Sequence, residues 1–321
     1  MNKPTIVVVT PALRQANNGN WQTARRWAAM LAPRYSVHLT DRWSAGDEVL
    51  MIALHARRSA AAVQAWRTQR GAAPLALVLT GTDLYRDIDT DPQAQASLAL
   101  ADRLVVLQEC APQRLPAALR AKCVVSFQSA SARVPLPKSA RRLRALMVGH
   151  LREEKSPQTY FEAARLLAAR ADIRLDHIGA ALDPALGAAA LDTAAQCPHY
   201  RWLGGMAHGA TRRRIQAAHV LVHASAMEGG AHVVIEAVRS GTPVLASRID
   251  GNVGLLGADY AGYFDWGDAH GLAALLARSR DDPAMLSGLE RQCAARAALF
   301  DPAHERRTLL ALVADLLETS P

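Results

Sequence analysis

Short apolar runs alternate with Ala- and Leu-rich stretches of helical spacing along most of the chain. "TIVVVT" (5–10) precedes a helical pattern over 21–32, "LALVLT" (75–80) and "RLVVL" (103–107) follow as further runs, and "RALMV" (144–148) leads into a helical pattern over 157–170. Runs of this length, apolar on both faces and each followed by a helix, predict parallel strands covered on both sides. The alternation pauses at "QSASARVPLPKSARR" (128–142), where prolines, small residues and basic residues replace periodic apolar ones. It restarts with "RALMVGHLREEKS". The pattern therefore predicts two doubly wound α/β halves, 1–141 and 142–321, with a linker near 128–142. Ala-rich 185–195 and 272–278 read as helix faces, because Ala is the strongest helix former. The last segment, "DPAHERRTLLALVADLLE" (301–318), is apolar at helical spacing.

Length agrees with that division, since single cores stop growing near the 321 residues of this chain. Charge adds a preference for anionic ligands: 37 Lys and Arg oppose 29 Asp and Glu, for a net charge of +8. Cys110, Cys123, Cys197 and Cys293 form no C-x-x-C pair, so the spacing predicts neither a zinc site nor a disulfide framework, and a reducing cytoplasm fits. The apolar run before Pro11 is too short for a signal segment, and no later run reaches spanning length. Neither export nor membrane insertion is expected. RNA binding lacks an aromatic stacking platform or a known motif.

The stretch that carries chemistry is "MEGGAHVVIEAV" (227–238). The run "HVLVHAS" (219–225) predicts a buried strand, residues 226–230 a loop, and the apolar periodicity a helix from near Ala231 or His232. Glu228 then sits in the loop and Glu236 more than a turn into the helix. Backbone N–H groups at a helix start favour an anion, and Gly229 and Gly230 let a phosphate approach the main chain. A carboxylate at Glu236 suits two vicinal ribose hydroxyls, and Glu228 can face a sugar ring. Together they suit a nucleotide sugar.

With "SGTPVLAS" (240–247) downstream and Ser225 upstream, this E-x7-E stretch resembles the glycosyltransferases of the GT-B fold, in the large GT4-like group, across nearly the whole chain. "VGHLREEKS" (148–156) is similar to the group's loop after the first strand of the second domain. The resemblance implies two Rossmann-like domains facing across a cleft, with the terminal helix crossing back to the first. Lys155 matches the group's diphosphate-binding lysine. His150 replaces the usual arginine, which Arg152 is placed to substitute, and Ala231 and Ser156 replace usual glycines. The donor set implied is Gly19, His150, Arg152, Lys155, Ser225, Glu228, Gly229, Gly230, Ala231 and Glu236, with Lys155, Arg152, Glu228 and Asn20 closest to the chemistry.

The first half narrows the resemblance. "TPALRQANNGNWQTARRWAAML" (10–31) puts an Asn/Gly loop between strand and helix. With "LHARRS" (54–59), "LTGTDLYRDI" (79–88) and "GNVGLLG" (251–257), the chain is similar to the selenosugar synthases of selenoneine biosynthesis. That resemblance implies transfer of a sugar from a UDP-sugar to the selenium of selenophosphate, with UDP and phosphate released. An anionic selenium needs little help from a general base, so positioning and leaving-group stabilisation dominate. The acceptor set expected at the first domain's strand ends is Arg14, Asn18, Asn20, Thr82, Asp83 and Arg86. Arg57 and Arg58 flank it. No metal is expected, and the partners are small molecules only, with no nucleic acid or membrane. The rivals are a hexosyltransferase to a hydroxyl and, further off, a nucleotide-sugar epimerase.

Other features read as ordinary structure. "DID" (87–89) has a metal–nucleotide form but follows "LYR" rather than a buried strand. His219, His223 and His232 lack partners at zinc spacing. Trp21 and Trp27 predict packing of the first domain, and "RRR" (212–214) a helix surface.

Overall fold

The structure, a computed structural model, describes residues 3–13 and 19–318. Two compact units emerge from its contacts. The first comprises Met1–Gln128, Glu228–Gly230 and Pro302–Pro321, the second Ser129–Met227 and Ala231–Asp301. Each is built on a six-stranded sheet in which every pairing is parallel.

In the first unit the strands are β1 (Thr5–Val9), β2 (Ser36–Thr40), β3 (Leu50–Leu54), β4 (Leu75–Val78), β5 (Arg103–Val106) and β6 (Cys123–Val125), in the order β2-β1-β3-β4-β5-β6. Alternate side chains of one strand point to opposite faces. Val7 and Val9 therefore join a core with Met51, Ala53 and Trp66, while Ile6 and Val8 join another with Leu50, Ile52 and Trp27. This two-sided burial explains the uninterrupted apolar runs. At the edge, β2 has the mixed sequence SVHLT and retains exposure. The helix Pro302–Glu318 covers the second of these cores with Leu309, Leu312, Val313 and Leu316, spaced as one helix stripe. Its buried Glu305 accepts from the Trp27 indole at 2.7 Å and pairs with Arg26 at 2.9 Å. That neutralises a carboxylate which would otherwise be costly to bury.

The second unit contains β7 (Leu143–Val148), β8 (Ile173–Ile178), β9 (Tyr200–Trp202), β10 (Val220–His223), β11 (Val244–Ser247) and β12 (Tyr263–Phe264), in the order β12-β11-β10-β7-β8-β9. The sheet grows outward from β7 through β8 to β9, then resumes at β10 on the other side of β7. In the first unit the equivalent reversal lies between β1 and β3. Parallel sheets bind ligands outside the carboxyl ends of their strands at such reversals, where neighbouring loops part to opposite faces. Among the described residues, no helix is long and apolar enough to cross a membrane.

One expectation is corrected. Arg212, the first residue of "RRR", does not lie on a helix surface: it is 3 % exposed on the helix His208–Ala217. Trp27 is fully buried, whereas Trp21 is partly exposed.

Candidate active site

The loops after β7 and β10 meet at the second sheet's reversal. The Ala226 N–H donates to the Glu154 carbonyl at 2.9 Å, tying one loop to the other. After β7 the chain passes Gly149, His150, Leu151 and Arg152 into a short turn, Glu153–Lys155, and then the helix Pro157–Leu166. The backbone is tightly held: a Cβ at Gly179 would fall 1.8 Å from the Gly149 carbonyl oxygen, so only glycine permits that approach. Ser156 takes the left-handed conformation (φ 46°) before the helix, and its hydroxyl accepts from the Trp266 indole at 2.9 Å. A side chain with a Cβ thus stands at a position of glycine-like backbone, fastened by a hydrogen bond.

His150 Nδ1 accepts from the Ala180 N–H at 3.1 Å, which leaves Nε2 as the donor of the neutral ring. Burial holds its pKa below the ordinary value, and the charges of Arg152 and Lys155 push the same way. The three side chains therefore share one electropositive neighbourhood. Arg152 has only a loose pairing, 3.9 Å from Glu154.

After β10, the Ser225 carbonyl accepts from the Ser247 hydroxyl at 2.6 Å, and Ser247 is in turn held by Asn252 at 2.9 Å. The Ser225 hydroxyl lies 3.3 Å from His223 Nε2. Glu228, Gly229 and Gly230 pack with the first unit. There a Cβ at Gly229 would lie 2.3 Å from the Thr80 carbonyl, and one at Gly230 would lie 2.8 Å from Leu107 Cβ. Close packing against the Thr80 main chain and the Leu107 side chain accounts for these two glycines, a reason that the local sequence does not contain. The helix that follows, His232–Val238, has seven residues, and its cap Ala231 offers no side-chain hydrogen bond.

Glu236 is 4 % exposed and is surrounded by basic groups. His208 Nε2 donates to its Oε1 at 2.6 Å, His232 Nδ1 lies 3.4 Å and Arg212 Nη1 3.7 Å from the same oxygen. Burial raises the carboxyl pKa, but the His232 and His208 hydrogen bonds and the Arg212 charge outweigh it and leave the group below its ordinary value. Two of these partners have a second anchor: His232 Nε2 donates to the Ser129 carbonyl at 3.1 Å and Arg212 to the Ser131 carbonyl at 2.9 Å. Arg239 completes the row by donating to the Ala130 carbonyl at 3.1 Å. His208 and Arg212 were absent from the sequence-derived set, and no local motif marks them. Only the fold brings the helix His208–Ala217 against Glu236.

In the first unit, Thr82, Asp83 and Arg86 follow β4. Asp83 is fully buried. Its Oδ1 accepts from the N–H groups of Thr80 and Gly81, both at 2.9 Å, and from the Thr80 hydroxyl at 3.2 Å; its Oδ2 accepts from the Ala56 N–H at 3.0 Å. The carboxylate clips the chain after β3 to the chain after β4. His55, also buried and at φ 74°, places Nε2 at 3.2 Å from the Thr82 hydroxyl. Burial lowers its pKa against the pull of Asp83 and Asp87, each 3.9 Å away. Asp87 pairs with Arg57 at 2.9 Å and Arg86 at 3.4 Å, and Asp89 pairs with Arg114 at 2.9 Å. The "DID" carboxylates are thus taken up by arginines. Gly19 and Asn20 open the helix Gly19–Leu31, while Arg14 and Asn18 lie outside the described residues. Among the described residues, no group of three or more His, Cys, Asp or Glu side chains is placed to hold a metal ion.

The family described as "Glycosyl transferases group 1" matches residues 128–297. Among curated proteins none matches the sequence. Solved structures share the architecture over nearly its whole length. Sucrose-phosphate synthase from Thermosynechococcus elongatus superposes with a TM-score of 0.78 at 18% identity, covering 99% of this chain and 100% of its own. Anabaena HepE in complex with UDP gives 0.77 at 14% identity, over 98% and 100%. The lipopolysaccharide outer core galactosyltransferase WaaB gives 0.73 at 13% identity, over 98% and 99%. The fold is GT-B, α/β with two six-stranded parallel sheets.

Proposed function

Because the chain belongs to the group 1 glycosyl transferases, we propose that it transfers a sugar from a UDP-sugar to the selenium of selenophosphate. The observation that carries the donor half is the buried Glu236 carboxylate, on the helix after β10 and held by basic side chains, in the same unit as the loop after β7 that bears His150, Arg152 and Lys155. A UDP complex of the same fold, that of HepE, supports the choice of nucleotide.

Glu236 takes the ribose diol. Lys155, Arg152 and the Nε2–H of His150 meet the diphosphate, where positive charge stabilises the departing UDP. Ser225, Gly229, Gly230 and Ala231 line the path, and Glu228 faces the sugar. With that charge supplied by side chains, a divalent ion is not required, and a chelator should leave turnover unchanged. On the acceptor side, Arg14, Asn18, Asn20, Thr82 and Arg86 bind and orient the selenophosphate anion, while Gly19, at the start of the helix Gly19–Leu31, lets the donor phosphate approach the main chain. Asp83 acts through the loops it clips together. The selenium lone pair forms the C–Se bond at the anomeric carbon as the bond from that carbon to the UDP oxygen breaks. Water then cleaves the P–Se bond, releasing phosphate and leaving the selenium on the sugar. The resemblance of "LHARRS", "LTGTDLYRDI" and "GNVGLLG" to selenosugar synthases supports this acceptor.

Incubation with selenophosphate and a panel of UDP-sugars, read by mass spectrometry for the selenium isotope pattern, tests the reading. A selenosugar with release of UDP is expected. Product from hydroxyl acceptors alone would overturn it in favour of a hexosyltransferase.

A further inference from the structure

Glu236 has three basic partners of different kinds. Arg212 is almost wholly buried and also grips the Ser131 carbonyl; His232 is partly buried and also grips Ser129. His208, at the first position of its helix, has a side chain that is 74% exposed and makes the shortest contact of the three, 2.6 Å. All three converge on Oε1. A carboxylate offers about four acceptor positions across its two oxygens. A vicinal diol that engages both oxygens must therefore take over a position that a basic group holds. Displacing Arg212 or His232 would also disturb main chain at 129–131. Displacing His208 moves one exposed ring into water.

We propose that His208 is a positioning residue of the nucleotide site: it keeps Glu236 paired and aimed, and it is the partner that the ribose diol replaces. The inference rests on the reading of Glu236 as the ribose ligand. Its consequence is competition. The imidazole that returns to Glu236 favours departure of UDP, so His208 lowers affinity for the product while keeping the buried carboxylate satisfied. The His208 ring lies largely in water and has no second anchor among the described contacts, so its release is cheap and the competition is modest.

Isothermal titration of UDP and of 2′,3′-dideoxy-UDP into the wild-type chain, His208→Ala and Glu236→Gln tests this, with stopped-flow dissociation of UDP in parallel. Removal of His208 should tighten UDP roughly two- to fivefold, the scale of one modest hydrogen-bond partner given up to the ligand, and slow its dissociation. It should leave dideoxy-UDP, which cannot take the carboxylate, unchanged. A merely structural role would move both ligands together. Weaker or unchanged UDP binding in His208→Ala, or equal tightening of both ligands, overturns the proposal. If Glu236→Gln weakens UDP while His208→Ala shows no gain, this inference alone fails. If Glu236→Gln binds UDP normally, the donor reading itself fails.

Discussion

Asp83 and Glu236 are both carboxylates buried near the carboxyl ends of parallel strands, one in each unit, yet they are held in opposite ways. Asp83 meets three backbone N–H groups and a hydroxyl across both of its oxygens. Glu236 is held at Oε1 by three side chains, two of them histidines and one of those largely in water. A carboxylate satisfied by main chain cannot turn to a ligand without undoing the loops it joins. One satisfied by side chains can exchange a partner at small cost. Burial and position alone would have ranked the two alike. The identity of the donors separates a carboxylate bound into its loops from one whose partners can be exchanged.

The largest effect expected concerns the charge that neither carboxylate supplies. Lys155→Ala should lower turnover about 10²- to 10³-fold, the scale for loss of one transition-state electrostatic partner. Single-turnover kinetics at saturating donor checks it, and near-normal turnover would move the leaving-group role to Arg152. Next, the comparison itself can be broken. Asp83→Ala leaves three backbone donors in need of partners and should destabilise the chain by about 3 kcal/mol, whereas Glu236→Ala should weaken UDP binding about tenfold or more. Urea unfolding and calorimetry on both variants decide: equal loss of stability in the two would show that Glu236 is a clip as well.

A further effect, on stability alone, is in acid. His177 in β8 is buried among Tyr160, Phe161 and Tyr200, with Nδ1 at 3.1 Å from the Tyr200 hydroxyl, and burial pushes its pKa down to about 4. The unfolded chain titrates this group near 6.5, so between these values it binds more protons than the folded chain. The stability present above pH 6.5 is therefore lost as pH falls toward 4, by about 2 kcal/mol at pH 5. Unfolding measured from pH 7.5 to 5 should show this slope, and His177→Gln should flatten it. An unchanged slope in the variant would assign the acid sensitivity to other groups.

Much of the architecture was legible because parallel strands buried on both faces write uninterrupted apolar runs, as in β1, β4, β5 and β7. Other strands were not. The edge strand β2 has a mixed, partly exposed sequence, β9 and β12 have only three and two residues, and the central β3 is missing from the predicted runs although LMIAL is apolar and fully buried. The site divides along the same line. Glu228 and Glu236 could be proposed because the seven residues between them set loop against helix locally. Arg212 read as surface because three consecutive arginines carry no sign of which one faces inward.

The sequence by itself determined the alternation of strand and helix, the E-x7-E spacing, the placing of Arg152 and Lys155 in the loop after β7, and the group 1 glycosyl transferase family. All of these are short-range patterns, set by the geometry of a few consecutive residues. Only the tertiary structure decided that Asp83 clips two loops, that Gly229 and Gly230 serve close packing against Thr80 and Leu107, and that His208, Arg212 and His232 gather on one oxygen of Glu236. Those contacts join residues from separate elements, and hydrophobic periodicity reports that a face is buried without reporting what it is buried against.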